Sequence, residues 1–400
     1  MNLDFHYYAT YCAAYLAGWP HEESCAISYS AALVDYCTKA FLHGIGAPVE
    51  AATTQQQVEM LDAGSDLLSL QDITRIWASF HFLPGDLHAE KAHSGRRYLQ
   101  KYRLVCGPDG ELAAATVELA KGRGLQAAGV AMHVLADTWS HRYFAGTPSL
   151  VINNITDYFY ELVPEGEGFA PRKVVFTHNP ALQDDPDRSR YNACVYQAYE
   201  NSIMNLGHGR AGHLPDYSWI RYKYLPAWGE YREILKDNPS DYMHAFRQMV
   251  YALRYLRGEL ESFETGRYDT ERVDPLAGEI TEIIEKRRLD AGGDWKALGE
   301  KLSGDWKALG EKLSGEEIPD YTPEKYQKEY LAAAAEEKDG TFLGGFILAA
   351  LAQKSMVTGH IFRSSNLLAG FSVDFREKGF RGIRAYRRLV EMLKQQEDKS

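Results

Sequence analysis

The segment Gly129–Gly146, GVAMHVLADTWSHRYFAG, restricts the folds open to this chain more than any other stretch. It reads as one helix with His133, Asp137 and His141 at successive i, i+4 positions. Residues four apart share a helical face, so two imidazoles and a carboxylate project the same way. Val130, Met132, Val134, Leu135 and Trp139 surround them and mark the helix as buried. Polar groups on a buried helix are costly unless something satisfies them. The triplet therefore reads in two ways: as ligands of a divalent metal, by the logic of other helical zinc motifs, or as three hydrogen-bonded core residues.

Further candidates lie on either side of this helix. Residues 5–17 and 22–43 read as two helices separated by Gly18, Trp19 and Pro20. Asp4 and His6 stand at the start of the first, where Asp4 also suits an N-cap. Asp35 falls inside the second, between Val34 and Tyr36; alone it fits a solvent-facing position. His81 sits between Phe80 and Phe82, just before the Pro84-Gly85 turn, and alone it fits a satisfied core histidine. GHGRAGHLPDYSW (207–219) brings His208, His213 and Asp216 together, and its glycines let the backbone curl around an ion. The segment PALQDDPDRSR lacks the spacing of a calcium hand and reads as a solvated loop within an irregular stretch, 146–190.

Bulk properties narrow the function. With 400 residues, 45% hydrophobic and 25% charged, the chain can bury a sizeable core. A formal charge of −11 gives no electrostatic footprint for long nucleic acid, although bound cations can still reverse the field for a small phosphate. The five cysteines are odd in number and show no paired-finger spacing, which fits reduced core thiols and a cytoplasmic setting. No signal peptide and no transmembrane span are expected. GDWKALGEKLS at 293–303 recurs identically at 304–314 and reads as a local duplication in a tolerant surface segment. Helices are expected at 191–206, 240–263, 323–337, 341–370 and 376–395. The last is basic and amphipathic, a face that is solvated or that meets anionic lipid or a partner.

His6, Asp35, His81 in FHF…P, HxxxDxxxH and then a His/Asp cluster occur in an order that resembles the zinc-dependent phospholipase C / P1 nuclease superfamily. DFHYYATY, HVLADTWSHRYFAG and GHGxxGHxPD resemble more closely an uncharacterised bacterial family remotely related to it. The resemblance covers residues 4–225. It implies an all-α multi-helix bundle with additional C-terminal helices: a metal-binding domain over 1–265, a variable segment over 266–320, and helices over 321–400 packing on the same domain. It also implies two or three zinc ions. Asp35, His81, His133 and Asp137 would serve one part of the cluster, with Asp137 bridging. His141 and His208, His213 and Asp216 would serve another, with His6 as an early ligand and Asp4 in place of the superfamily's processed N-terminal ligand. The implied chemistry is hydrolysis of a small phosphoester or phospholipid headgroup, with Asp35 and Asp137 catalytic and Arg142 placed to reach a phosphate oxygen. The central spacing is shorter than the superfamily's HxxxDxxxxxH. The alternative is a non-catalytic helical protein with a structural metal. Oligomeric state has no signature in the sequence.

Overall fold

A computed structural model describes residues 2–55, 67–88, 104–147, 152–179, 184–193, 206–287 and 295–364. A π-helical segment, Asp4–Ala9, leads into α1 (Thr10–Leu16). It is followed by α2 (His21–Leu33), α3 (Lys39–Gly44), α4 (Leu67–Phe80), α5 (Glu111–Ala120) and α6 (Leu125–Ser140). Helix α6 is the one expected from the HxxxDxxxH pattern, and it is buried continuously from Ala127 to Ser140. A helix apolar on all sides needs neighbours on all sides. They are α2, α4, α5 and two later helices, α8 (Asn238–Arg257) and α12 (Phe342–Arg363).

The expectation of an all-α fold is corrected by the stretch between α6 and α8. It contains β1 (Ile155–Glu165), β2 (Gly168–Lys173), β3 (Val175–Thr177), β4 (Arg190–Asn192), the short helix α7 (His208–Ala211), β5 (Arg221–Pro226) and β6 (Ile234–Asp237). Four strands form an antiparallel sheet in the order β2-β1-β5-β6, and β3 pairs with β4 in parallel. The fold is therefore mixed α/β. The physical signal lies in ITDYFYELVPE and RYKYLP, where β-branched and aromatic residues suit a pleated surface. In β5 burial alternates, with Tyr222 and Tyr224 inside. Gly166, at φ +58°, supplies the left-handed turn of the β1–β2 hairpin.

The sheet packs its aromatic face over the chain leaving α6. Phe144 stacks on Tyr224 with centroids 5.2 Å apart, and Tyr224 stacks in turn on Phe159. The Tyr224 hydroxyl and the Trp228 indole both donate to the Tyr143 carbonyl. The second His/Asp cluster is thereby carried between β4 and β5, beside the end of the helix that bears the first.

After α8 come α9 (Ala277–Glu285), α10 (Trp295–Ser314), α11 (Gln327–Ala332) and α12. Helix α10 holds most of both repeat copies in one continuous run. Eleven residues make about three helical turns, so equivalent residues of the two copies fall on one face. The second copy is not a surface segment: Trp306 and Leu309 are buried, and Trp306 meets Phe5 edge-on. Helix α12 is long and apolar enough to cross a membrane by length and composition, and here it packs on α4, α5 and α6. Residues 194–205 of the helix expected at 191–206, and all of 376–395, lie outside the described residues. Among the described residues Cys12, Cys25, Cys37 and Cys106 are free and buried.

Candidate metal centre

The site begins with the contact between α2 and α6. A Cβ at Gly129 would collide with the Ile27 carbonyl and lie 2.5 Å from the Ser30 Cβ, so only glycine allows this approach. Near the end of α2, the Ala31 carbonyl lies 2.9 Å from His133 Nδ1, one turn along α6 from Gly129. A carbonyl only accepts, so this nitrogen carries the proton and Nε2 keeps its lone pair.

Two more rings are fixed in the same way. His81 turns Nε2 to the Thr53 carbonyl at 3.0 Å, leaving Nδ1 as the lone-pair nitrogen. His141, in the turn that ends α6, donates Nδ1–H to the His81 carbonyl at 2.7 Å, leaving Nε2. His6 is wholly buried on the π-helical segment and stacks on His133 at 3.8 Å; neither of its ring nitrogens has a hydrogen-bond partner among the described residues.

These nitrogens converge on carboxylates. Asp137 Oδ2 lies 3.1 Å from His81 Nδ1 and 3.2 Å from His133 Nε2. The His141 nitrogen 3.5 Å away is Nδ1, which already donates to the His81 carbonyl, so the lone pair of His141, on Nε2, faces Asp216 instead. Its Oδ1 lies 3.2 Å from His6 Nε2. Asp35, in the turn after α2, approaches His6, His81 and His133 at 3.8 to 3.9 Å. His81 Nδ1 and His133 Nε2 face each other at 3.3 Å. In the neutral rings, lone pairs that face each other and a carboxylate repel, and a cation between them removes the repulsion. Ligands of one tetrahedral zinc ion lie about 3.3 Å apart, and this set matches that spacing. His6, His133 and Asp137 form one group able to hold an ion, and Asp35, His81 and His133 a second.

A third group consists of His141, His208 and Asp216. His141 Nε2 lies 3.3 Å from Asp216 Oδ1, and His208 Nε2 3.5 Å from Asp216 Oδ2. Gly207 and Gly212 bracket α7 with φ of +53° and +58°; a Cβ on either would strike Asn153 or the Asn192 carbonyl. Both glycines are thus required for the turn that presents His208.

Metal binds neutral imidazole and ionised carboxylate, and the electrostatics favour those forms at His6 and His141 and at Asp137 and Asp216, but not at His81. Burial, reinforced by His133, pushes His6 down to about 4. Burial also lowers His141. For Asp137 and Asp216 burial acts upward, yet nearby positive charge, with His141 foremost for Asp137 and His208 among the contributors for Asp216, holds both well below the usual carboxylate range. His81 is raised, because Asp137 outweighs its burial.

The structure thus gathers His6, Asp35, His81, His133, Asp137, His141, His208 and Asp216. The other three expected residues are engaged differently. Asp4 is the first residue of its segment rather than its N-cap; it accepts from the Phe5 amide and lines a small crevice with Asp216, Trp219 and Tyr242. His213 pairs with Asp184 at 3.2 Å, and Asp184 also accepts from the Tyr217 hydroxyl. Arg142 lies 3.7 Å from Asp241 and stacks over Tyr143. Sequence reasoning missed the supporting groups: the carbonyls of Ala31, Thr53 and His81, and the buried Lys236, which pairs with Asp241 and donates to the Trp139 carbonyl. Carbonyls have no residue-type signature. Lys236 follows the apolar pair Ile234-Leu235, and its placement could have been suspected from that context alone.

The class defined by this geometry is a helical bundle with a buried multi-histidine, multi-carboxylate centre and an inserted antiparallel sheet. The sequence pattern of a family of unknown function, DUF6765, matches residues 1–361, and the chain belongs to that family. No curated protein and no solved structure matches the chain.

Proposed function

We propose that this protein is a divalent-metal-dependent phosphoric ester hydrolase, with two or three zinc ions held by the His/Asp centre. The observation that carries the reading is the set of main-chain carbonyls that fix His81, His133 and His141, so that each turns its remaining nitrogen toward a carboxylate. Metal-bound histidines are characteristically held by a hydrogen bond at the other ring nitrogen. Cations in such a centre supply Lewis acidity toward a phosphoryl oxygen and acidify water near neutral pH. The likeness of ligand order to the phospholipase C / P1 nuclease superfamily supports phosphoester chemistry, and this likeness concerns the site rather than the inserted sheet. In this reading Asp137 joins the two halves of the centre. Asp35, with a third of its side chain exposed, marks the face where a substrate phosphate enters. The acidic chain favours a small phosphoester or a phospholipid headgroup over long nucleic acid.

Elemental analysis of protein purified without chelator tests the proposal, with Asp137→Asn alongside. Two or three zinc per chain are expected, falling to one or none in the variant, and wild-type protein should hydrolyse phosphodiester or phospholipid substrates. Zinc without hydrolysis would leave a structural metal site. No zinc, even after zinc is added back, would overturn the reading.

A further inference from the structure

Helix α12 contributes no residue to the candidate centre, yet it grips two segments that place His81, the 50–52 loop and the end of α4. Lys354 reaches from α12 to the carbonyls of Glu50 and Ala52, at 2.5 and 2.6 Å. The next residue along that loop is Thr53, wholly buried, whose carbonyl receives His81 Nε2–H. Thr53 is held on its other sides as well. Its hydroxyl donates to the Val34 carbonyl at 2.6 Å, and its amide donates to the Cys37 carbonyl. Val34 immediately precedes Asp35. Gln353, the neighbour of Lys354, is buried and donates to the Ser79 carbonyl, two residues before His81, and to the Thr116 hydroxyl.

The Lys354 amine donates to these two carbonyl oxygens and lies 5.9 Å from the Phe80 ring centroid, and Asp72 and Glu50 are the carboxylates whose charge acts on it. Its placement is not accounted for by charge pairing alone, since its hydrogen bonds go to main-chain oxygens. It is well explained by the need to hold two carbonyls of an irregular loop in one geometry, and burial already weakens its hold on its proton. We propose that Lys354 is a positioning residue for the metal centre: it fixes the 50–53 loop so that the Thr53 carbonyl selects the His81 tautomer whose Nδ1 faces Asp137 and Asp35. This inference rests on the metal reading above and assigns to α12 a role beyond packing. Groups that hydrogen-bond a ligand directly, as the Thr53 carbonyl does His81, typically alter metal affinity by about 10- to 100-fold; Lys354 acts one step further out, through the loop that carries that carbonyl, so the lower end is expected.

The test is zinc affinity measured by competition with a chromophoric chelator on the full chain, together with the melting temperature of the metal-free protein. Lys354→Met should weaken the ion nearest His81 by about tenfold. The ion at His141, His208 and Asp216 should keep its wild-type affinity. Lys354→Arg, which retains donors for both carbonyls, should stay within about threefold of wild type. It also provides a folded comparison with Lys354→Gln, a shorter donor expected to fall between them, should the Met variant not fold. A lysine that serves only stability would lower the metal-free melting temperature and leave every zinc affinity unchanged; that result overturns the inference alone. A wild-type protein that binds no zinc overturns the metal reading and this inference with it.

Discussion

His81, His133 and His141 are clamped by main-chain carbonyls from α2, the 50–53 loop and the end of α4, whereas His208 stands on a four-residue helix between two left-handed glycines. The side chains of His6, His133 and Asp137 are almost completely buried. Those of His208 and Asp216 are 22% and 15% exposed. The first half of the centre is thus set in packed helices that cannot shift without disturbing the core, and the second in a turn that answers to local geometry. The same ligand types are therefore expected to make a tight, slowly exchanging half and a looser one that exchanges with solvent.

Removing one histidine from each half gives the largest contrast. His133→Ala takes a ligand from both groups of the helical half and is expected to weaken zinc there by at least about a hundredfold, since direct ligands matter more than the groups behind them. His208→Ala should release one ion and leave the helical half loaded. Zinc counted per chain after dialysis against a weak chelator separates the two outcomes. Equal losses from both variants would mean that the halves act as one unit through Asp137.

Gly129→Ala should give a smaller effect confined to the helical half. The added methyl meets the Ile27 carbonyl and Ser30, so α2 and α6 must move apart. Overpacking of this kind costs roughly 1–3 kcal/mol. Separation of the helices also withdraws the Ala31 carbonyl from His133. The expected result is a lower melting temperature with weakened zinc in the helical half and an unchanged His208 half. A variant that loses stability but binds zinc normally would show that the His133 orientation does not depend on the close helix contact.

The two halves also differ in how far the sequence revealed them. Helix α6 with the candidate ligands His133 and Asp137 follows from a local i, i+4 pattern in an apolar setting; the helix expected over 129–146 ends at Ser140, so His141 stands in the turn beyond it. His208 and Asp216 were visible as a dense cluster among glycines. That His213 belongs instead to Asp184 depends on a pairing across 29 residues, which no local pattern encodes. The sheet was missed in part for a related reason. Only the join of β1 to β5 spans a long separation, as in Tyr160 with Lys223; the β1–β2 and β5–β6 pairs are local, and the signal of the first is masked by prolines and an aspartate within the strands, Asp157, Pro164 and Pro171. The second repeat copy was assigned to the surface because exact duplication suggests tolerance, yet Trp306 fills the space beside Phe5 on the segment that carries His6.

The smallest effect tests the setting of the helical half through Lys354. Burial pushes its amine down to about 8 from the ordinary 10.5. The folded pKa lies below the unfolded one. Between about pH 8 and 10.5 the unfolded chain therefore binds more protons than the folded protein, and this group makes stability rise with pH. Below pH 8 both states carry the proton and the burial cost is present in full. Other groups, including the raised tyrosines and cysteines, act in the opposite direction, so the informative quantity is the difference from Lys354→Met in metal-free protein. The melting temperature of the variant relative to wild type should fall as pH rises from 7.5 to 10.5, on the order of a degree or two for a chain of this size. A difference that stays constant with pH would mean that the amine is as well solvated as in the unfolded chain. In that case the helical half would be less sealed at α12 than its packing implies, and the contrast with the His208 half would narrow accordingly.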